Sequence, residues 1–294
     1  MQEAQKNKPA TAMKLALPKG RMAQGVNALL DEAGMSVRGT SRDYRPSIGF
    51  DGISVKILKP RAIVEMLADG TRDLGFAGTD WVIESGADLV ELLDTGLDRV
   101  RLVAAAPSAI LINGRLPDRP LMIASEYLSL TRDWIKKTGL DATLRRSYGA
   151  TEVLPPDDAD CIVDNTATGS TLEANRLEII DDLMVSSTRL YASQSAMNDP
   201  AKRSMIELFV VLIDSVLEAR RRVMVEFNVS ADSLEKVIAC LPCMREPTVS
   251  PLHGSGGFAV KSAVPKARLT AVIPEIRAFG GTDIVVSKPQ QIMV

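Results

Sequence analysis

Ala159-Asp-Cys-Ile-Val-Asp-Asn-Thr-Ala-Thr-Gly-Ser-Thr-Leu172 joins an apolar strand to a loop of small, hydroxyl-bearing residues. The apolar run ends at Asp164, and Gly169 follows within the loop. Because glycine has no side chain, backbone amides beside Gly169 can approach phosphate oxygens closely. Further hydrogen-bond donors are the hydroxyls of Thr168, Ser170 and Thr171. This stretch predicts a strand of an α/β fold with a phosphate-binding loop at its carboxyl end.

The same stretch has an alternative interpretation, a simple turn with helix-capping residues. The residues alone leave both interpretations open, and the Gly-Lys-Ser/Thr of a Walker loop is missing. In a binding site, Asp164 would hold sugar hydroxyls or a magnesium ion bound to pyrophosphate, because carboxylate oxygens suit magnesium.

Strands and helices alternate on both sides of this loop. Lys14 to Leu17 predicts a strand, Pro18 to Arg21 a turn, and Met22 to Ala33 a helix. Further predicted strands are residues 53–58, 73–77, 100–106, 108–112, 121–125, 144–147 and 161–163, and residues 178–189 look extended. The alternation is typical of a largely parallel sheet with helices on its faces, whose binding sites lie beyond the carboxyl ends of the strands.

A long helical pattern from Ala201 to Arg222 ends in three arginines, and we predict a domain boundary there. Beyond it the pattern predicts strands at residues 222–227, 257–262 and 283–287, and helices at 231–240 and 264–279. This order predicts a small α+β sandwich of ferredoxin-like pattern.

Composition limits the class of protein. The chain has 294 residues, 46% hydrophobic and 24% charged, as in an ordinary globular protein. A net charge of −2 and an aromatic content of 4% argue against a nucleic-acid partner. Three cysteines argue against a disulfide framework and fit a reducing cytoplasm. No stretch reaches the ~18 apolar residues of a membrane helix, and residues 1–12 predict a disordered tail.

Several cations and strand-end residues are candidates for a site. Lys19 and Arg21 flank Gly20 before a helix N-terminus, which suits contact with phosphates, although a solvated surface pair is the alternative. Asp80 follows a predicted strand and also fits a helix cap. The other candidates are Arg61, Gly78, Thr79 and Glu152.

Cys240-x-x-Cys243 suggests a redox or zinc site, but a second cysteine pair is missing and His253 is the only histidine. The four ligands of a structural zinc site are therefore lacking, and a hydrolase triad that uses this histidine is disfavoured.

The motifs together resemble the ATP phosphoribosyltransferases of histidine biosynthesis. Residues 161–171 are similar to the phosphoribosyl-pyrophosphate motif of phosphoribosyltransferases, with Val163 where that motif usually has a first acid. Segments 15–21, 73–80 and 148–155 resemble the family's opening strand and turn, its "DLGI-G-D" segment and its "GSVE-AP" segment. Leu241-Pro242 and the segment 247–252 resemble the C-terminal domain of the long form. Glu126 and Leu128 depart from the family, in which a basic or small residue and a proline are common.

The resemblance implies a fold with two parts. The first is a two-lobed, periplasmic-binding-protein-like catalytic region, with residues 13–107 and 190–218 in one lobe and 108–189 in the other. The second is a ferredoxin-like (ACT-like) α+β domain at residues 220–294, which binds histidine as a regulator.

The resemblance also implies a reaction in which ring nitrogen 1 of the adenine of ATP attacks the ribose of phosphoribosyl pyrophosphate. Pyrophosphate leaves with Mg²⁺, in the first step of histidine biosynthesis. The implied catalytic residues are Lys19, Arg21, Glu152 and Asp164, with Asp164 also the candidate metal ligand. The implied substrate-binding residues are Gly20, Arg61, Gly78, Thr79, Asp80, Asn165, Thr166, Ala167, Thr168, Gly169, Ser170, Thr171 and Leu172.

The regulatory and cellular expectations follow from the same resemblance. Histidine would inhibit by binding near Asn228, Met244 and Thr248. We expect a cytoplasmic homo-oligomer, a hexamer that exchanges with a dimer, with no nucleic-acid or membrane partner. Two other hypotheses remain open, a non-catalytic small-molecule binding protein and a regulatory amino-acid-sensing subunit.

Overall fold

The computed structural model describes residues 13–39, 43–254 and 256–293, so the tail predicted over residues 1–12 lies outside the described residues. The chain divides into two compact units, Met1–Ala28 with Met35–Glu207, and Leu29–Gly34 with Leu208–Val294. The strands are β1 (Met13–Pro18), β2 (Val37–Arg38), β3 (Ser47–Ile48), β4 (Ile53–Leu58), β5 (Leu74–Gly78), β6 (Leu89–Pro107), β7 (Leu121–Ser125), β8 (Ala142–Arg146), β9 (Cys161–Thr166), β10 (Leu177–Ser193), β11 (Arg222–Ser230), β12 (Thr248–Pro251), β13 (Gly257–Pro265) and β14 (Thr282–Ser287). The α-helices are α1 (Arg21–Glu32), α2 (Pro60–Ala68), α3 (Thr79–Ser85), α4 (Leu128–Thr138), α5 (Ser170–Ala174), α6 (Gln194–Asn198), α7 (Pro200–Arg221), α8 (Leu234–Cys240) and α9 (Leu269–Ala278).

The first unit is built on an eight-stranded sheet with the order β4-β1-β5-β10-β6-β9-β7-β8. Strand β1 is parallel to β4 and β5, and β7 is parallel to β8 and β9. In the middle, β10 is antiparallel to β5 and β6, and β6 is antiparallel to β9. The α/β class is confirmed, but the predicted largely parallel sheet is a mixed one.

The two long central strands explain this correction. Sequence patterning detected only the apolar half of β6, where Leu102 to Ala106 are buried. The other half carries charged and exposed residues, and its pairing with β10 is broken by several register shifts. Bulges of this kind interrupt the two-residue alternation that identifies a strand. The strand predicted at residues 108–112 is wrong, because Ser108–Ile110 form a short 3-10 turn.

Strand β9 packs against the core with both faces. Cys161 and Val163 contribute to one hydrophobic cluster, and Ile162 contributes to another, as expected when successive side chains of a strand point to opposite faces. Val163, where the related motif has its first acid, is fully buried. The pocket-facing carboxylate of this strand is therefore that of Asp164, at its carboxyl end.

The second unit contains a four-stranded antiparallel sheet with the order β12-β13-β11-β14, and α8 and α9 follow β11 and β13. In β11, Val223, Val225 and Phe227 are buried, and the residues between them are more exposed, so one face of the sheet forms the core. The helix predicted at 264–279 begins only at Leu269, because β13 continues to Pro265. Strand β12 was not predicted from the sequence.

Among the described residues, no helix combines the length and apolar character needed to cross a membrane.

Candidate active site

The loop between β9 and α5 turns sharply at Gly169, which has a φ of +87°. Residues other than glycine rarely adopt this backbone conformation, so the turn requires glycine at position 169. The Gly169 N–H donates to Thr166 Oγ1 at 2.9 Å, and the hydroxyls of Thr168 and Ser170 lie 3.0 Å apart. The loop is therefore a compact turn with exposed hydroxyls.

A cavity of about 440 Å³ opens beside this loop. It brings together side chains from several parts of the chain that the sequence marked as candidates. Its lining residues are Arg21, Glu126, Gly149, Thr151, Glu152, Asp164, Asn165, Thr166, Ala167, Thr168, Ser170, Thr171 and Leu172. Donor groups of the loop thus face the same space as one cation and three carboxylates.

The carboxylate of Asp164 is destabilised by its surroundings. Burial raises the pKa of Asp164 to about 6, and the nearby charges of Glu152 and Glu126 act in the same direction. The backbone N–H of Asn165, which donates to Oδ1 at 2.7 Å, opposes the rise in pKa, as does the Thr151 hydroxyl. A poorly solvated carboxylate of this kind attracts positive charge strongly.

A second cavity, of about 160 Å³, lies next to a buried polar network. Asp80 is only 5% exposed, and its carboxylate accepts hydrogen bonds from Tyr127 Oη and Ser186 Oγ, both at 2.6 Å. A Cβ on Gly78 would lie 2.1 Å from Asp80 Oδ1, so glycine is needed there for close approach. Asp80 therefore does not cap α3, the alternative suggested by its position, because the N-cap is Gly78 and no side chain caps the helix.

Tyr127 connects this network to the carboxyl end of β9. Its hydroxyl donates to Asp80 and accepts from Asn165 Nδ2 at 2.9 Å, and its ring stacks on Trp81 at 4.5 Å between ring centroids. Burial and the Asp80 charge raise the pKa of Tyr127, so the phenol remains a donor. This one hydroxyl therefore links the first turn of α3, which follows β5, to the carboxyl end of β9.

Two of the three basic candidates, Lys19 and Arg21, line these cavities, and Arg61 lines neither of them. Arg21 lines both, and within the described part of the chain its side chain has no hydrogen bond or ion pair. The Lys19 ammonium lies 5.7 Å from the centroid of the Tyr44 ring. Arg61 pairs with Glu65 at 3.0 Å and lies 5.9 Å from the Trp81 ring.

Some predicted site residues are placed elsewhere. Thr79 Oγ1 lies 3.1 Å from Tyr191 Oη, and neither Thr79 nor Gly20 lines either of these two cavities. Gly20 instead shapes the turn before α1, with a φ of +79°.

Residues 59–215 match the family described as ATP phosphoribosyltransferase, and residues 219–290 match the HisG C-terminal domain. The chain belongs to the ATP phosphoribosyltransferase family. It is 34% identical over 277 residues to an ATP phosphoribosyltransferase of Pelodictyon phaeoclathratiforme, which covers 92% of this chain and 94% of that protein. An ATP phosphoribosyltransferase of Pelotomaculum thermopropionicum is also 34% identical, over 93% of this chain and 96% of its own length.

A solved structure agrees with this assignment. The ATP phosphoribosyl transferase (HisG:HisZ) complex from Thermotoga maritima is similar, with a TM-score of 0.62 and 28% identity. The match covers 70% of this chain and 98% of that chain. Because both the catalytic family and its C-terminal domain match, the long form of ATP phosphoribosyltransferase predicted from the sequence is confirmed.

The residues predicted to bind histidine are only partly brought together in the second unit. Asn228 and Thr248 line a cavity of about 350 Å³ in the second unit. Asn228 Nδ2 donates to Asp283 Oδ2 at 3.0 Å. Met244 does not line that cavity, and its N–H donates to the carbonyl of Ala263 at 3.3 Å.

The structure also brings together residues that sequence patterns did not single out. Tyr127 and Ser186 complete the Asp80 network, although Ser186 is 106 residues from Asp80 in the chain. The only sequence signal was a tyrosine just beyond the predicted strand 121–125. Across the described ranges, no group of three or more histidine, cysteine or acidic residues is placed to hold a metal ion.

Proposed function

We propose that this chain transfers the phosphoribosyl group of phosphoribosyl pyrophosphate to ring nitrogen 1 of the adenine of ATP and releases pyrophosphate. This reaction is the first step of histidine biosynthesis. The observation that carries the proposal is the 440 Å³ cavity, in which Asp164, the Thr168 to Thr171 loop and Arg21 face one another.

Asp164 would act on the sugar. As pyrophosphate departs, the ribose gains positive charge, and a fixed carboxylate nearby stabilises that charge more than it stabilises the neutral sugar. The ordinary solvation of this carboxylate is already reduced, as its pKa of about 6 indicates. Its interaction with a developing cation is strengthened accordingly. Glu152, on the same cavity wall, would bind the ribose or the adenine edge.

The loop and the cations would act on the phosphates. The backbone and hydroxyl donors of residues 165–172 suit the 5-phosphate or the pyrophosphate, since both present several acceptor oxygens. Lys19 lies in the turn before α1 and Arg21 is the first residue of that helix. Fixed cations there would offset the charge of the leaving group. Arg61, Gly78 and Asp80 would form the wall on the nucleotide side.

Mg²⁺ would enter with the substrate. Magnesium is typically held by one or two carboxylates together with substrate phosphates. The cavity fits that pattern, because Asp164 faces it and the described residues contain no larger ligand group. Bound there with Asp164 as protein ligand, the ion would neutralise charge on the departing pyrophosphate.

The fold is proposed to have two catalytic lobes of periplasmic-binding-protein type, residues 13–107 with 190–218 and residues 108–189. Two groups of parallel strands at opposite ends of the sheet, β4-β1-β5 and β9-β7-β8, support this division. Residues 220–294 are proposed to form a ferredoxin-like, ACT-like domain, in keeping with the order β11-α8-β12-β13-α9-β14.

This domain is proposed to mediate inhibition by histidine, with Asn228, Thr248 and Met244 near the effector. Only the first two share a cavity, so Met244 would act from outside it. The enzyme is proposed to be a cytoplasmic homo-oligomer, a hexamer that exchanges with a dimer.

The test is an assay of pyrophosphate release by the purified chain with ATP, phosphoribosyl pyrophosphate and Mg²⁺, with and without histidine. We expect release that requires both substrates and falls when histidine is added. A binding protein would bind a substrate without release, and a regulatory subunit would bind histidine without release. Loss of inhibition alone would contradict only the regulatory part.

Two variants test the loop itself. Asp164→Ala and Gly169→Val should each lose turnover by at least about a hundredfold, the usual scale for an electrostatic catalytic group. Asp157→Ala, at an exposed acid near the start of the same strand, is the matched control and should keep full activity. Full turnover in either folded loop variant would contradict the assignment of this site.

A further inference from the structure

A third cavity, of about 300 Å³, borders the proposed ribose site. Its walls combine aromatic rings with charged side chains, and they come from the start of α2 with the residue before it, the start of α3 and the loops after β7 and β8. The lining residues are Lys59, Pro60, Arg61, Trp81, Glu126, Ser147 and Tyr148. Glu126 also lines the cavity that contains Asp164, so the two spaces share this carboxylate.

The aromatic walls suit a planar base. Trp81 is held by stacking on the buried ring of Tyr127, at 4.5 Å and an interplanar angle of 28°. Tyr148 is 87% exposed, so its ring is accessible for stacking. Aromatic side chains bind every kind of nucleobase through stacking, because every base has a π-face. The rings therefore explain affinity for a base and do not explain which base is bound.

Glu126 supplies the missing selectivity. Within the described residues its carboxylate has no hydrogen bond and no ion pair, and an ionised carboxylate is only an acceptor. Adenine carries an amino group, a donor, on the carbon next to ring nitrogen 1. Guanine and hypoxanthine carry an oxygen at that place, which a carboxylate repels.

We propose that Glu126 accepts a hydrogen bond from the exocyclic amino group of adenine and thereby selects an adenine nucleotide. The inference rests on the proposed function, since the amino group neighbours the nitrogen that attacks. A carboxylate that faces both cavities holds the amino group at their junction, and ring nitrogen 1 is then directed toward the ribose beside Asp164. Glu126 is on this account a specificity-determining residue.

The experiment compares the binding of AMP and IMP, which do not react, by titration calorimetry. The wild-type chain should prefer AMP. In Glu126→Gln the side-chain amide can donate to the oxygen of IMP, so the AMP-to-IMP affinity ratio should fall about tenfold or more, the usual effect of losing a hydrogen bond to a charged group. Glu178→Gln, at an exposed glutamate that lines none of these cavities, is the matched control and should keep the wild-type ratio.

A second variant tests the cavity independently of selectivity. Tyr148→Ala removes an exposed ring, and it should weaken AMP and IMP equally, since stacking does not distinguish them. An unchanged AMP-to-IMP ratio in Glu126→Gln, or unchanged AMP affinity in Tyr148→Ala, would overturn the inference. The two proposals can fail separately. If the wild-type chain releases no pyrophosphate, the proposed reaction fails. If the Glu126→Gln variant nevertheless loses the preference for AMP that the wild-type chain shows, the assignment of Glu126 stands.

Discussion

Replacing Asp164 by asparagine should stabilise the protein while it abolishes the reaction. The pKa of Asp164 rises from 3.8 to about 6 in the folded chain, mainly because of burial. One pKa unit corresponds to about 1.4 kcal/mol, so ionising this carboxylate costs the folded state about 3 kcal/mol at pH 8. Asparagine is nearly isosteric, has no charge, and its side-chain oxygen can still accept the Asn165 N–H.

The pH dependence gives this prediction its sign. An acid whose pKa is raised by folding binds its proton more tightly in the folded state, so stability is greatest below the unfolded pKa of 3.8 and falls as pH rises through about 6. The advantage of Asp164→Asn should thus be largest at pH 8, up to about 3 kcal/mol, and about half as large at pH 5.

Urea unfolding at pH 5 to 8 without substrates measures the difference. Both tryptophans, Trp81 and Trp134, belong to the unit that contains Asp164, so their fluorescence reports its unfolding. Asp157→Asn, at an exposed acid, is the control and should change stability little at any pH. If Asp164→Asn is no more stable than the wild-type chain at pH 8, or its advantage does not shrink toward pH 5, the description of this carboxylate is wrong.

Three further predictions concern the network around the site. Tyr127→Phe leaves the buried carboxylate of Asp80 without one of its donors. Urea unfolding should therefore show a free energy of unfolding lower by about 1–3 kcal/mol, and the pyrophosphate assay should show a lower kcat. Gly78→Ala should displace Asp80, because its Cβ would lie 2.1 Å from Oδ1, and the melting temperature should fall. Gly25→Ala is the control and should not lower the melting temperature, because its Cβ would meet only ordinary contacts at 3.5 Å or more. Glu84→Ala removes the carboxylate that accepts from the first backbone N–H groups of α4 and should cost about 1 kcal/mol, and an unchanged melting temperature would contradict that role.

The loop after β9 was predictable because its signals are local. A run of apolar residues, an acid and a glycine within one short segment indicate a strand, its end and a turn, and the structure has all three there. Parallel strands β1, β5, β7 and β9 were likewise detected, since buried apolar runs identify them. Strand β4, in which only Val55 is buried, was also detected. Long-range pairing was not predictable in the same way. The first half of β6 contains charged and exposed residues, so no apolar run identifies it. That half is a strand because it pairs with β10.

Tyr127 shows the same limit for the site. Its hydroxyl joins Asp80, 47 residues away in the chain, to Asn165, 38 residues away in the other direction. Contacts between residues so far apart in the chain leave no recognisable pattern in a single sequence. A tyrosine after a strand is also a common core residue, and Tyr127 does bury its ring against Trp81. Its polar role depends entirely on where the sheet brings the ends of β5 and β9.

The structure of β9 explains why this motif has one acid, Asp164, where the related motif has two. Side chains alternate along β9, so residue 163 faces the hydrophobic cluster that contains Leu102 and Ile123. A carboxylate there would be buried without a partner, which costs several kcal/mol, and valine avoids that cost. The charge that a second acid would bring comes instead from Glu152 and Glu126, on separate segments that face Asp164 across the cavity. Val163 therefore belongs to the core, and the acidity of the site is distributed over three segments of the chain.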